Sequence, residues 1–155
     1  MTGRGMRGVA VRTGLLTGLA IAAVTWGIFL ACDGTRGMTV HGAPVPIAVF
    51  AAEVVLFAGA GFRLRRRGLD DLSALRGGLV AGLTSALLAG FPRGAILLLS
   101  DSYLRYLAGP HAGHVLVPWP PFAVLFALVG AVLAGAVLGA ACGAIGGSFA
   151  KPSRT

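Results

Sequence analysis

Four long apolar runs, separated by short segments that hold most of the charged residues, restrict the fold of this sequence more than any other feature. The runs cover residues 13–31, 43–62, 77–99 and 121–146. A helix that crosses the hydrocarbon core of a bilayer needs about 20 mostly apolar residues, and each run has about that length. The pattern predicts an all-α integral membrane bundle of four transmembrane helices, in a single domain over residues 1–155.

The composition excludes several other classes of protein. Hydrophobic residues make up 56% of the chain and charged residues only 12%, which is too apolar for a soluble globular domain or a disordered tail. A net charge of +8 would indicate a nucleic-acid partner in a soluble protein. Here the basic residues bracket the apolar runs instead of forming a face, so we expect the lipid bilayer as the partner and no nucleic acid.

The distribution of basic residues predicts the orientation. They outnumber acidic residues before the first run, in the segment 63–76 and at the C-terminus, whereas the segments 32–42 and 100–114 are balanced. Basic segments stay on the cytoplasmic side, so we expect a multi-pass plasma-membrane protein with both termini in the cytoplasm. Four arginines of the middle segment could also contact anionic lipid, at about 1 kcal/mol each. They are Arg63, Arg65, Arg66 and Arg67.

The first run leaves two processing alternatives open. Arginines followed by an apolar run resemble a secretory signal peptide, but 13–31 is long for one and further spans follow. The residues before Cys32 resemble a poor lipoprotein cleavage site, with Phe29 where leucine is preferred. An uncleaved first helix is the better interpretation, and lipidation of Cys32 stays open.

Local signals mark the ends of the second and third helices. Gly68 is suited to end a cytoplasmic extension of the second helix. Asp70 and Asp71 can cap the free N–H groups of the third helix, whose positive dipole end suits their charge. Pro92 cannot donate to the carbonyl of Leu88, so a neighbouring helix or water must satisfy that oxygen.

Glycines recur every fourth residue in the last two runs. Small residues at this spacing allow helix backbones to approach closely, so we expect a tight bundle or a self-associating surface. These glycines are Gly78, Gly82, Gly90, Gly94, Gly135, Gly139, Gly143 and Gly147.

Glu53 is the polar residue that most needs an explanation. It lies ten residues before Arg63, or about 15 Å at the helical rise, close to the middle of a core roughly 30 Å thick. A carboxylate at that depth is costly, so it is usually protonated, paired or functional. One interpretation is a proton-coupling or cation-binding carboxylate, and the other is a hydrogen-bonded glutamate that only fixes packing.

The other polar candidates carry weaker signals. Arg93 should lie near the outer boundary, and a pair with Glu53 would have to bridge an axial gap of roughly 11 Å. The three histidines, His41, His111 and His114, fall in the outer segments and are weak candidates for a metal site, so solvated loop histidines are the better interpretation. We therefore expect no bound metal and no cofactor.

No catalytic motif is present, and five acidic residues are too few for an aspartate-rich metal site. We do not expect an enzyme. The favoured role is a non-catalytic accessory or scaffold component, and the alternative is a small proton-coupled transporter or channel that uses Glu53. Either role allows a homo-oligomer or a membrane partner protein.

Overall fold

The computed structural model describes residues 3–31, 44–99 and 120–150, and these residues form four helices and no strand. Helix α1 is Gly3–Ala31 and α2 is Pro44–Arg66. Helix α3 spans residues 71–99 and consists of Asp71–Ser85, a π-helical turn at Ala86–Gly90, and Phe91–Leu99. Helix α4 is Pro120–Ser148. The all-helical class is confirmed.

Among the described residues, three stretches are long and apolar enough to cross a membrane: Gly5–Ala31, Asp71–Ile96 and Val124–Ser148. The 23 residues of α2 would reach about 34 Å at the helical rise. The membrane crossing of α2, and with it the four-span bundle and its orientation, stays a prediction. Helices α1 and α3 begin earlier than the apolar runs, because a helix continues past the hydrocarbon core wherever its backbone bonds and caps allow.

Helices α2 and α3 each pack against the other three helices, and α3 makes the more extensive contacts, above all with α4 and α1. One buried cluster brings together Ile21, Phe57, Ala81 and Cys142, one residue from each helix. A second cluster at the arginine-rich end of α2 contains Ala10, Leu64 and Leu69. These clusters fix the helices around the polar residues described below.

Glycines bring α3 and α4 into backbone contact. A Cβ added at Gly143 would lie 2.8 Å from the carbonyl oxygen of Ala74, and one added at Gly135 would lie 2.6 Å from that of Gly82. Cβ atoms added at Gly78 and Gly139 would collide with the facing glycine backbone. No larger residue fits at these positions without separating the two helices. Gly61 and Gly146, which the spacing does not single out, make equally close contacts between α2 and α4.

A compact turn joins α2 to α3, as the sequence predicts. Gly68 adopts a left-handed conformation with φ of 77°. Its N–H donates to the carbonyl of Arg65, and that of Leu69 donates to the carbonyl of Leu64, which together form a Schellman motif. Leu69 also packs on Leu64 in the buried cluster, so the turn is closed on its apolar side.

The first turn of α3 is capped by Asp70, as expected. The Ser73 N–H donates to the Asp70 carboxylate over 2.9 Å. Hydrogen bonding from Ser73 to this carboxylate lowers the pKa of Asp70 below its usual value. The neighbouring Asp71 carboxylate lies 2.9 Å from Nε of Arg65, an ion pair that ties the end of α2 to the start of α3.

Candidate functional site

Glu53 on α2 faces α1 and α3 from the middle of the helix. The Thr25 hydroxyl of α1 donates to Oε1 of Glu53 over 3.5 Å. Thr25 is only 2% exposed, so this contact lies inside the bundle. A buried hydroxyl beside a carboxylate supplies it with a donor that lipid cannot supply.

Arg93 lines the same cavity as Glu53. From the helical rise alone, the two residues would be separated by roughly 11 Å along the bundle axis. The cavity has a volume of about 300 Å³. Helices α2 and α3 are antiparallel, and the Cα–Cβ bonds of a helix tilt toward its N-terminus. Each of the two long side chains therefore leans along the bundle toward the other, which the axial distance between their Cα atoms does not reveal.

Within the described residues the two side chains do not approach to ion-pair distance, because no Arg93 nitrogen lies within 4 Å of a Glu53 oxygen. Glu53 and Arg93 thus line one cavity and leave room between their side chains.

Small residues create that space. On α4 the wall consists of Ala127, Gly130, Ala131, Ala134, Gly135 and Leu138, and α2 and α3 add Phe57, Ser85, Ala86, Gly90 and Gly94. A Cβ added at Gly130 would meet nothing within 4 Å. Cβ atoms added at Gly90 and Gly94 would lie 3.4 and 3.5 Å from the nearest alanine Cβ, which is ordinary contact. These two glycines therefore border a cavity, whereas Gly78 and Gly82 form a tight seam.

The π-helical turn Ala86–Gly90 lies on α3 beside Glu53. In it the N–H of Phe91 donates to the carbonyl of Ala86, five residues back. The carbonyl of Leu88 accepts instead from Nε1 of Trp26 on α1, over 2.8 Å. The sequence predicts that either a neighbouring helix or water satisfies the oxygen freed by Pro92, and in the structure a neighbouring helix does so.

Sequence reasoning identified Glu53 and Arg93 but missed Thr25 and Ser85. Thr25 is a hydroxyl within an otherwise apolar stretch of the first run, and this was the available signal. The Ser85 hydroxyl is buried at the cavity wall and donates to the carbonyl of Gly82 on its own helix over 3.0 Å.

The remaining candidates lie elsewhere. Cys32, His41, His111 and His114 are outside the described residues. Across 3–31, 44–99 and 120–150, no group of three or more His, Cys, Asp or Glu residues is placed to hold a metal ion. The four arginines at 63–67 lie at the C-terminal end of α2, away from the cavity that contains Glu53.

Fold and site together define a protein that is all-helical in its described residues, with helices able to span a membrane and a cavity between them that Glu53 and Arg93 line. In comparisons with family models, curated proteins and solved structures, nothing matches this chain.

Proposed function

We propose that this chain is a small, non-catalytic transporter of the plasma membrane that binds a proton and a small monovalent anion together. The observation that carries the proposal is that Glu53 and Arg93 line one cavity of about 300 Å³. This is the proton-coupled alternative of the sequence analysis, and the position of Arg93 in the cavity favours an anion as the substrate.

Charge neutrality is the reason for an anion. An uncompensated charge at this depth costs about 2.5–3.5 kcal/mol on insertion scales. Ionised Glu53 and Arg93 together have no net charge. When Glu53 takes up a proton, Arg93 is left without its counter-charge, and a monovalent anion restores neutrality. A cation would add to the positive charge in either state.

The cavity wall limits the size and polarity of the substrate. Its α4 side consists of glycine, alanine and leucine, so a ligand meets mainly apolar surface apart from Arg93, Glu53 and Ser85. Small inorganic anions and short monocarboxylates fit these conditions. Four short helices enclose little space, so we place the transporter in a homo-oligomer.

The first test is uptake into proteoliposomes with an inward proton gradient. The anions are radiolabelled chloride, nitrate, lactate and pyruvate. We expect the wild-type protein to accumulate at least one anion in proportion to the gradient. Glu53→Gln imitates the protonated state, so it should still exchange the anion but no longer accumulate it. Arg93→Gln should lose both activities.

A bulky substitution tests whether uptake needs the cavity itself, without changing the charges that line it. Gly130→Leu projects a side chain where an added Cβ meets nothing, and it should block uptake without changing any charge. Gly27→Leu is the matched control, because Gly27 is equally open but does not line the cavity. Uptake that is independent of the gradient, or the same in Glu53→Gln and wild type, would contradict the proposal.

Infrared spectroscopy of the Glu53 carbonyl provides a second readout, with Glu53→Gln to assign the band. In a transporter the protonation of Glu53 shifts when the anion is added. If the infrared band of the Glu53 carbonyl does not change with pH or with any of the anions, Glu53 is a packing residue.

That result would favour the second candidate, an accessory or scaffold component. The observation that supports a scaffold is a row of exposed apolar side chains on α4 at helical spacing. It contains Phe126, Val129, Leu133 and Val137, of which Phe126 is 75% exposed and Val137 is 68% exposed. A scaffold predicts that Glu53→Gln is tolerated and that a membrane partner copurifies until this row is changed.

A further inference from the structure

A second cavity, of about 440 Å³, runs between α1 and α2. Its α2 side follows a single helix face through Val55, Gly59, Arg63 and Arg67, at successive intervals of four residues. Thr13 and the two arginines line one end of the groove, and Ala20 and Val55 line the other. Leu16 and Thr17 of α1 lie between the two ends. The groove therefore changes from apolar to cationic along its length.

The four arginines of the 63–67 segment are not equivalent. Arg65 is engaged by the Asp71 carboxylate and donates from Nη1 to the carbonyl of Leu69 over 3.2 Å. The Arg66 guanidinium lies 5.5 Å from the centre of the Phe62 ring. In the part of the chain that the structure describes, Arg63 and Arg67 make no side-chain hydrogen bond or ion pair, and both are exposed. Only these two line the groove.

The polar groups follow the order of groups in a phospholipid. Leu64 packs with Ala10, three residues before Thr13, and Arg63 lies one residue deeper than Leu64, so Thr13 lies about 3 Å, or half a turn, deeper than the level of Arg63. Thr17 lies a further turn along, and Ala20 and Val55 follow. A glycerophospholipid presents phosphate, ester carbonyls and acyl chain in the same sequence, and arginine, threonine hydroxyl and apolar surface complement these three groups.

We propose that this groove is a specific site for one anionic glycerophospholipid. Its phosphate binds Arg63 and Arg67, its ester carbonyls accept from Thr13 and Thr17, and an acyl chain lies over Gly59 toward Ala20. The site is separate from the Glu53 cavity, and it stands whether or not the protein is a transporter.

Native mass spectrometry of delipidated protein in detergent tests the site, with phosphatidylglycerol and phosphatidylcholine as probes. We expect wild-type protein to retain one phosphatidylglycerol in preference to phosphatidylcholine. Arg63→Gln with Arg67→Gln should weaken that binding about 30-fold, which corresponds to about 1 kcal/mol for each arginine. Arg7→Gln with Arg66→Gln removes the same charge outside the groove and should weaken it much less.

Gly59→Leu tests the acyl-chain half of the site. An added Cβ at Gly59 meets nothing within 4 Å, so the variant should fold and fill the groove, with loss of the bound phosphatidylglycerol. Three outcomes would overturn the proposal: an equal loss in both double-arginine variants, unchanged binding in Gly59→Leu, or displacement of the lipid by inorganic phosphate. The last of these would indicate a site for free anions.

Discussion

At the scale of single residues, Trp26 supplies the hydrogen-bond donor that Pro92 removes from α3. Proline removes a backbone donor from α3, and an oxygen without a partner in the hydrocarbon region costs several kcal/mol. The indole N–H of Trp26 replaces that donor at the carbonyl of Leu88 and joins α1 to α3 next to the π-helical turn. An irregular stretch of helix is thus held by a side chain from its neighbour.

A double-mutant cycle measures the coupling between Trp26 and Pro92. Trp26→Phe removes the donor and should lower the free energy of unfolding in detergent, with about 0.6–1.5 kcal/mol of the loss due to the hydrogen bond. Pro92→Ala returns an N–H to α3, so the same Trp26→Phe change should cost less in that background. Equal costs in the two backgrounds would show that the indole contributes only packing.

The sequence was sufficient to find Glu53 but not its surroundings. A carboxylate within an apolar run is visible from spacing alone. Thr25 was not visible as its partner, because a threonine is common in membrane helices and only the packing of α1 on α2 decides what it faces. The shared cavity with Arg93 depends on the direction in which each side chain leaves its helix, and axial distances do not contain that information.

Glycines of identical spacing have two different roles at the level of the helices. Gly78 and Gly82 of α3 are pressed against the backbone of α4, whereas Gly90 and Gly94 on the same register lie beside the Glu53 cavity. The spacing predicts which face of α3 meets α4. It does not predict where the helices diverge, because that depends on the π-helical turn and Pro92.

Paired alanine substitutions distinguish these roles. Gly82→Ala places a Cβ against the backbone of Gly135, and overpacking of this kind should destabilise the protein by about 1–3 kcal/mol. Gly94→Ala should be neutral or stabilising by up to about 1 kcal/mol, because alanine favours helix and its Cβ has room. The measurement is unfolding in mixed detergent. Similar decreases in the free energy of unfolding for both variants would argue against a difference in packing between the two halves of α3.

For the whole molecule, the four helices follow from four apolar runs, and the turn between α2 and α3 follows from Gly68 and Asp70. The extensive packing of α3 could not be predicted, because all four runs are similarly apolar and hydropathy does not specify which helix makes most of the contacts. Orientation depends on the arginine distribution, which acts during insertion and leaves no mark on helix packing.

Labelling with a membrane-impermeant maleimide tests the arrangement. After the two native cysteines are replaced, single cysteines at Thr39 and Ser102 should react in intact cells. Cysteines at Thr2, Arg66 and Ser153 should react only after permeabilisation. If Thr39 and Arg66 show the same accessibility, α2 does not cross the membrane and the four-span topology is wrong.

The short turn between α2 and α3 also affects how the chain is inserted during synthesis. Helix α2 leaves the ribosome first, and Glu53 makes its transfer into lipid unfavourable by about 2.5–3.5 kcal/mol. Arg93 follows 40 residues later, roughly 2–8 s at usual rates of translation. We expect α2 to wait at the translocon until α3 arrives, and the two to enter the bilayer as a hairpin in which each ionised side chain lowers the insertion cost of the other.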